Sequence, residues 1–289
     1  TVYLLKPNIK RSRGGLRELQ LVRWIGFTRH GETDLDSLRR MGALTREDRN
    51  TLRSAYDFLL RLRNEMHFHA GKSQDLLTRE EQVRLAEKYG YQTDESLLAV
   101  ERFMQVYFEH TSQVRYAQTH FVRSARSPRT WAHFWGSLFS HQVEGDFLVG
   151  PFQIRATRRG LEKVSNELSE VLRLMDLANL YDKRIDHSVW QAIRKAMLKR
   201  TQIDISPEAA RRFLSLLSEP ARLAALLRRL HELRVLECFI PGMRKARCLL
   251  QFNEYHKYTV DEHSIRALQH ATEFIRDDGP LGDAYRSLE

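Results

Sequence analysis

Apolar side chains recur at helical spacing along most of the chain, and the pattern is clearest between residues 94 and 126. Apolar and aromatic positions three or four residues apart alternate there with charged ones, which is typical of an amphipathic helix. A helix of about 30 residues would be about 45 Å long. The side chains expected in the core, rather than around a ligand, are Leu97, Val100, Met104, Tyr107, Phe108, Thr111, Val114 and Phe121.

Capping signals divide this helical pattern, which runs from Leu16 to about residue 128. The spacings Thr45-x-x-Asp48 and Thr78-x-x-Glu81 mark two helix starts. Beyond Gly160 we expect helices at about 161–181, 187–200 and 220–236, and a further helix whose first residue is the proline of Ser206-Pro207-Glu208.

The sequence "GDFLVGPFQIRAT", residues 145–157, interrupts the helices with β-branched and aromatic residues around a Gly-Pro pair. This composition predicts a short hairpin or a pair of extended segments. A further strand is expected at the start, in "TVYLL", and we expect strands only at about 1–6 and 145–157. The predicted fold is therefore mainly α, a multi-helix, bundle-like region with a small β insert.

Composition places the chain among globular proteins, because 42% of its 289 residues are hydrophobic. It contains no long uncharged apolar run and no leader-like segment, so we expect neither a membrane span nor secretion. The chain begins with Thr1 inside a strand-like segment, from which we expect a fragment of a longer protein. Cys238 and Cys248 are too few for a disulfide framework, and we interpret them as reduced packing residues.

The segment "KPNIKRSRGGLRELQ" places cations around a Gly-Gly pair at the start of a helix. Lys10, Arg13 and Arg17 flank Gly14 and Gly15, and free N–H groups at a helix entrance suit an anion. A phosphate-proximal role is one interpretation of this segment. A plain structural turn is the other, and the spacing leaves both open.

A second candidate lies in "YHKYTVDEHSIRAL", where Thr259 and Glu262 have the spacing of a capping box. His263 then falls in the first turn of the helix. A single histidine is not a metal site, because a stable site needs several converging ligands. His67 and His69 are two residues apart on a helix, point in different directions and make a poor metal pair.

These two segments, in this order, resemble the bifunctional PII uridylyltransferase/uridylyl-removing enzymes of bacterial nitrogen signalling, and the intervening sequence resembles their helical linker. The resemblance implies an enzyme that transfers UMP from UTP to a tyrosine of the regulatory protein PII, removes it with an HD-type hydrolase domain, and responds to glutamine. The implied parts are the edge of the nucleotidyltransferase domain (1–20), a helical subdomain (21–142), a β insert or hinge (143–159), a second helical subdomain (160–252) and the start of the HD domain (253–289).

The resemblance also assigns the candidate residues. His263 matches the first metal ligand of an HD domain, but the chain contains no His-Asp dipeptide. Lys10, Arg13, Gly14, Gly15 and Arg17 match a segment near the nucleotide. The whole enzyme would use Mg²⁺ or another divalent metal in the cytoplasm. In this chain we expect no complete catalytic site, no tightly bound metal and no activity, only a scaffold between domains.

Two alternatives stay open. The related glutamine synthetase adenylyltransferases share the Gly-Gly-Leu-Arg segment, but they continue into a second transferase domain and not into "YTVDEHS". The formal charge of +10 favours anionic partners. A helical RNA-binding module, as in tRNA nucleotidyltransferases and poly(A) polymerases, is therefore the second alternative, although we expect no nucleic acid partner.

Overall fold

The computed structural model describes residues 5–126, 141–143, 145–200, 204–252 and 258–287, and it confirms a mainly α protein. The chain divides into two compact units. The first unit comprises Thr1–Pro128 and Ala246–His263, and the second comprises Arg129–Lys245 and Ser264–Glu289. The functional division into five segments stays a prediction.

The first unit is built around one long helix. Its helices are α1 (Leu16–His30), α2 (Leu35–Arg40), α3 (Arg46–Ala70), α4 (Arg79–Lys88) and α5 (Ala99–Arg126). Helix α5 packs against α1, α3 and α4. This explains its apolar stripe, since a central helix must bury its face against several neighbours.

The sequence located the main features of this unit correctly. Of the eight core positions predicted for the long helix, seven are buried, from Val100 to Phe121, and Leu97 lies partly buried just before α5. Thr45 and Thr78 cap α3 and α4 by accepting the N–H groups of Asp48 and Glu81. Both predicted capping interactions are confirmed on the threonine side.

The second unit combines helices with a small sheet. Its elements are β1 (His141–Val143), β2 (Phe147–Val149), β3 (Gln153–Ala156), α6 (Arg158–Asn166), α7 (Leu168–Leu180), β4 (Arg184–Ile185), α8 (His187–Lys199), α9 (Pro207–Leu217), α10 (Pro220–Glu232), α11 (Leu236–Phe239) and α12 (Gly242–Ala246). The strand order is β1-β2-β3-β4. Helix α6 packs on α8, and α7 packs on α9.

The last helices are α13 (Val260–Glu273), a 3₁₀ turn at Phe274–Arg276 and α14 (Pro280–Arg286). Helix α13 starts at the position that the sequence indicated. Ile265 of this helix belongs to the core of the second unit.

The hairpin predicted at 145–157 is present as β2 and β3, which pair antiparallel with Phe147 opposite Ala156. The expectation that strands would be confined to that segment and to residues 1–6 is wrong, because β1 and β4 also join the sheet. β4 has only two residues. It is a strand because it pairs with β3, and no local sequence pattern indicates it. Residues 1–4 lie outside the described residues.

Two helix boundaries also differ from the prediction. The helix expected at 161–181 is two helices, α6 and α7, that meet at Glu167, whose backbone is extended (φ −118°, ψ 122°). The helix expected to reach residue 236 ends at Glu232, because Arg234 adopts a left-handed conformation. Ser206 caps α9 with Pro207 at its first position, as expected.

Candidate functional site

The Gly-Gly segment folds into a compact loop organised by Asn8. The side-chain oxygen of Asn8 accepts hydrogen bonds from the backbone N–H groups of Lys10 (3.1 Å) and Arg11 (2.7 Å). The backbone N–H of Asn8 donates to Ser12 Oγ (2.8 Å). An asparagine that bonds the backbone a few residues ahead fixes a turn without help from a sheet. Backbone bonds to a distant segment also hold the loop, since Ile9 N–H donates to Asp75 O (2.8 Å) and Leu77 N–H donates to Pro7 O (2.9 Å).

The two glycines are required by close backbone approach. Gly14 has φ +77°, and a Cβ at this position would lie 1.9 Å from the carbonyl oxygen of Thr111 on α5. A Cβ on Gly15 would lie 2.6 Å from the carbonyl oxygen of Ile9. No side chain fits at either position, so the Gly-Gly pair has a structural function whether or not a ligand binds nearby.

The amides at the start of α1 are all used within the protein. Gly14 N–H donates to Glu18 Oε2 (3.0 Å), and Gly15 N–H donates to Ser12 O (2.8 Å). The N–H groups of Leu16 and Arg17 donate to Ile9 and Lys10 carbonyls, at 3.1 and 3.0 Å. The free N–H groups that the sequence suggested for an anion are therefore not available at this helix entrance.

The cationic side chains of the loop point outward. Arg13 and Arg17 are exposed, and Lys10 is partly buried, whereas Gly14 and Gly15 are buried. An anion at this place would meet side chains and not backbone amides. The nucleotide-proximal role of these five residues stays a prediction.

Glu18 connects the loop to the long helix, and the sequence did not indicate this. One carboxylate oxygen accepts Gly14 N–H at 3.0 Å, and the other lies 3.1 Å from Arg115 Nη1 on α5. No local pattern could show a partner 97 residues away.

Asp261, on the first turn of α13, is 1% exposed and bonds the turn at Cys248. Its two carboxylate oxygens accept the N–H groups of Cys248 (2.8 Å) and Glu262 (2.9 Å). Cys248 has φ +55°, so Asp261 stabilises an unusual turn. The predicted threonine cap is not formed: Thr259 Oγ1 is buried with no hydrogen-bond partner in the described part of the chain, while its carbonyl accepts His263 N–H.

His263 is exposed on the first turn of α13. Asp261, two residues before it, is committed to the backbone N–H groups of Cys248 and Glu262. Among the residues that the structure describes, no group of three His, Cys, Asp or Glu side chains could hold a metal ion. These residues therefore do not fit a divalent metal by themselves, and the assignment of His263 as a ligand stays a prediction.

The other titratable candidates have ordinary structural partners. His67 Nε2 lies 3.3 Å from Asp75, which also pairs with Arg63 at 2.7 Å. His69 lies 3.7 Å from Glu81. The two histidines therefore contact different carboxylates, as their i, i+2 spacing indicated.

Both cysteines are buried and free, and burial raises the pKa of each thiol. They belong to the cores of different units, Cys248 to the first and Cys238 to the second. Within the described ranges, no helix combines the length and the apolar character needed to cross a membrane.

Comparisons with known proteins agree with the resemblance seen in the sequence. Residues 1–122 match the family model described as GlnD PII-uridylyltransferase. The chain is 32% identical over 275 residues to the bifunctional uridylyltransferase/uridylyl-removing enzyme of Erythrobacter litoralis (strain HTCC2594). This match covers 93% of the chain but only 30% of that relative. No solved structure is significantly similar to the chain.

Proposed function

We infer from these matches that the chain belongs to the GlnD PII-uridylyltransferase family, and we propose that it is the central helical region of a bifunctional uridylyltransferase/uridylyl-removing enzyme. The whole enzyme would transfer UMP from UTP to a PII-type signalling protein, remove it again, and respond to glutamine. It would use Mg²⁺ or another divalent metal and work in the cytoplasm.

The observation that carries this proposal is the extent of the similarity. It covers 93% of the chain and therefore reaches into both compact units, although the family model ends at residue 122. Both helical units then correspond to parts of the same relative. A match confined to the first unit would have been equally consistent with any protein that shares only the edge of the nucleotidyltransferase domain.

The proposed role of the chain itself is that of a scaffold between catalytic domains. Each unit has its own apolar core, which is the usual requirement for a segment that holds its shape independently. The Asn8 loop is anchored to α5 through Gly14, Glu18 and Arg115. This anchoring would present Lys10, Arg13 and Arg17 on a rigid support, where they could attract the triphosphate of UTP.

We expect the 289-residue chain alone to lack both activities. Phosphoryl-type transfer needs metal ions that neutralise the triphosphate, and hydrolysis needs a metal-activated water. His263 is exposed and Asp261 is bonded to backbone N–H groups, so this pair does not supply such a centre.

The test compares this chain with a full-length enzyme that contains it. Each is incubated with UTP, Mg²⁺ and a PII protein, and UMP addition is measured by mass spectrometry. We expect transfer only by the full-length enzyme. Transfer by the 289-residue chain would refute the scaffold role, and no transfer to any PII protein by the full-length enzyme would refute the proposed activity.

The role of the loop cations has a separate test in the full-length enzyme. Arg17→Ala and Lys10→Ala should raise the KM for UTP by about tenfold, which is 1.4 kcal/mol of binding. Arg29→Ala is the matched control, because Arg29 is exposed at the opposite end of the same helix. If the KM for UTP were the same in all three variants, the loop would not be part of the nucleotide site.

A further inference from the structure

The second unit contains a small pocket that none of the resemblances assigns. It has a volume of about 250 Å³ and lies where the ends of α8, α10, α11 and α12 meet. Its lining residues are Met197, Leu198, Arg200, Arg234, Glu237, Cys238 and Arg244. Three guanidinium groups thus surround one cavity.

Arg234 occupies a backbone position that normally belongs to glycine. Its φ is +63°, and it follows α10 in a Schellman motif: Val235 N–H donates to Leu230 O (2.9 Å), and Arg234 N–H donates to His231 O (3.0 Å). Glycine is usual at this position because a Cβ is unfavourable in the left-handed region. The arginine is therefore not explained by the turn, and its side chain lines the pocket.

The charges around the pocket are unequal. Glu237 is 3% exposed, and its Oε2 lies 3.9 Å from Arg234 Nη1. Among the lining residues that the structure describes, it is the one carboxylate, against three arginines. A single carboxylate neutralises one guanidinium at most, so the pocket keeps a positive excess that favours an anion.

The lining also contains the buried thiol of Cys238. Cys238 is 6% exposed, and its Sγ lies 3.7 Å from the Arg234 carbonyl oxygen. Burial raises the pKa of this thiol, while the charges of Arg200 and Arg244 act in the opposite direction. Arg200 also donates to the carbonyl of Asn166 at the end of α6, which ties that side chain to the unit.

We propose that Arg200, Arg234 and Arg244 form a binding site for the phosphate group of a small ligand. Guanidinium groups bind tetrahedral oxyanions through paired N–H donors, and several of them together are typical of phosphate sites. A volume of about 250 Å³ accommodates a phosphate with a small attached group or a few waters, but it is below the usual size for a whole drug-sized molecule. Glu237 then orients Arg234 and leaves the other arginines to the ligand.

The first test measures anion binding to the 289-residue chain with inorganic phosphate and with ribose 5-phosphate, using calorimetry at constant ionic strength. Binding of inorganic phosphate alone indicates a free-ion site, and tighter binding of ribose 5-phosphate indicates a phosphomonoester site. Either result supports the proposal. Absence of binding by both at millimolar concentration overturns it.

The variants separate a binding role from a structural one. Arg234→Gly removes the guanidinium and should weaken phosphate binding at least about tenfold. Its effects on the Tm oppose each other, because glycine relieves the left-handed backbone while the buried Glu237 loses this arginine. Arg244→Ala changes an exposed side chain and should weaken binding without unfolding the unit. A lower Tm with unchanged binding in Arg234→Gly would show that Arg234 is only structural and would overturn the proposal.

Arg158→Ala is the matched control, because Arg158 belongs to the same unit, carries the same charge and has a side chain that is 95% exposed. It should bind phosphate like the unchanged chain. A loss of affinity as large as that of Arg244→Ala would show a general charge effect and contradict a defined site.

Cys238 supplies a local readout. Phosphate should slow the modification of Cys238 by iodoacetamide, since the ligand would occupy the pocket that this thiol lines. Peptide mass spectrometry distinguishes this cysteine from Cys248, which is 1% exposed. Protection that persists in Arg244→Ala would place the phosphate elsewhere.

Discussion

The α-carbon of Gly14 lies so close to Thr111 that a Cβ on Gly14 would be 1.9 Å from the Thr111 carbonyl oxygen. This contact joins the basic loop to the long helix α5. It fixes the position of the residues proposed to lie near the nucleotide, and it does so through backbone and not through charge.

Gly14→Ala should destabilise the first unit strongly. The substitution places a methyl group against backbone that cannot move aside, and the residue already has a left-handed φ, so we expect a loss of about 3 kcal/mol or more in the free energy of unfolding. Gly31→Ala is the control, because Gly31 has φ +73° with no atom within 4 Å of the added methyl group. Urea denaturation should show a loss of only about 1 kcal/mol there, and equal losses would contradict the packing argument.

Asp261→Ala should destabilise the turn at Cys248 and the start of α13. The change leaves the N–H groups of Cys248 and Glu262 without their carboxylate acceptor in a buried place, which costs about 2–3 kcal/mol. His263→Ala, two residues further and exposed, should change stability by no more than about 0.5 kcal/mol. Thermal unfolding of both variants tests this. The prediction fails if the histidine change is the more damaging one.

Asp146→Asn should destabilise the second unit in a pH-dependent manner. The Asp146 side chain is 1% exposed and lies 2.7 Å from Lys163 and 3.2 Å from Arg159. Burial by itself raises the pKa of this carboxyl, but the bonds from Lys163 and Arg173 outweigh it, and the pKa lies below its ordinary value. Removing the charge should cost about 2 kcal/mol at neutral pH.

A carboxyl with a lowered pKa stabilises the folded state above its ordinary pKa, and this contribution is lost as the pH falls through the folded value. The difference in Tm between Asp146→Asn and the unchanged chain should therefore shrink below about pH 4. Asp278→Asn, at an exposed position, is the control and should show no such trend. A difference that stays constant down to acid unfolding would rule out the ion-pair explanation.

Tyr107→Phe should leave stability unchanged or raise it. Tyr107 is fully buried in the core of the first unit, and its hydroxyl has no hydrogen-bond partner among the described residues. Burial raises the pKa of this phenol, so it stays protonated at all ordinary pH values. Removing a buried unsatisfied hydroxyl should gain up to about 1 kcal/mol. A loss of more than about 1 kcal/mol in urea denaturation would mean that the hydroxyl is bonded.

Much of the architecture follows from local sequence. The apolar periodicity of α5 is set by the helical repeat, and the caps at Thr45, Thr78 and Ser206 act within three residues, so both are readable without tertiary structure. The Gly-Gly segment was recognisable for the same reason. Its resemblance to one family was confirmed by the comparisons.

Other features depend on contacts between distant segments, and only the tertiary structure decided them. Glu18 meets Arg115 across 97 residues, and β4 exists only because β3 lies beside it. The sequence showed a Gly-Gly pair at a helix entrance, but not that the neighbour of Gly14 is a carbonyl on α5 or that the amides of α1 are already bonded. The arginines of the pocket come from three separate segments: Arg200 follows α8, Arg234 follows α10 and Arg244 lies in α12. Periodicity and capping act over a few residues, whereas a site is formed by side chains that packing brings together from far along the chain.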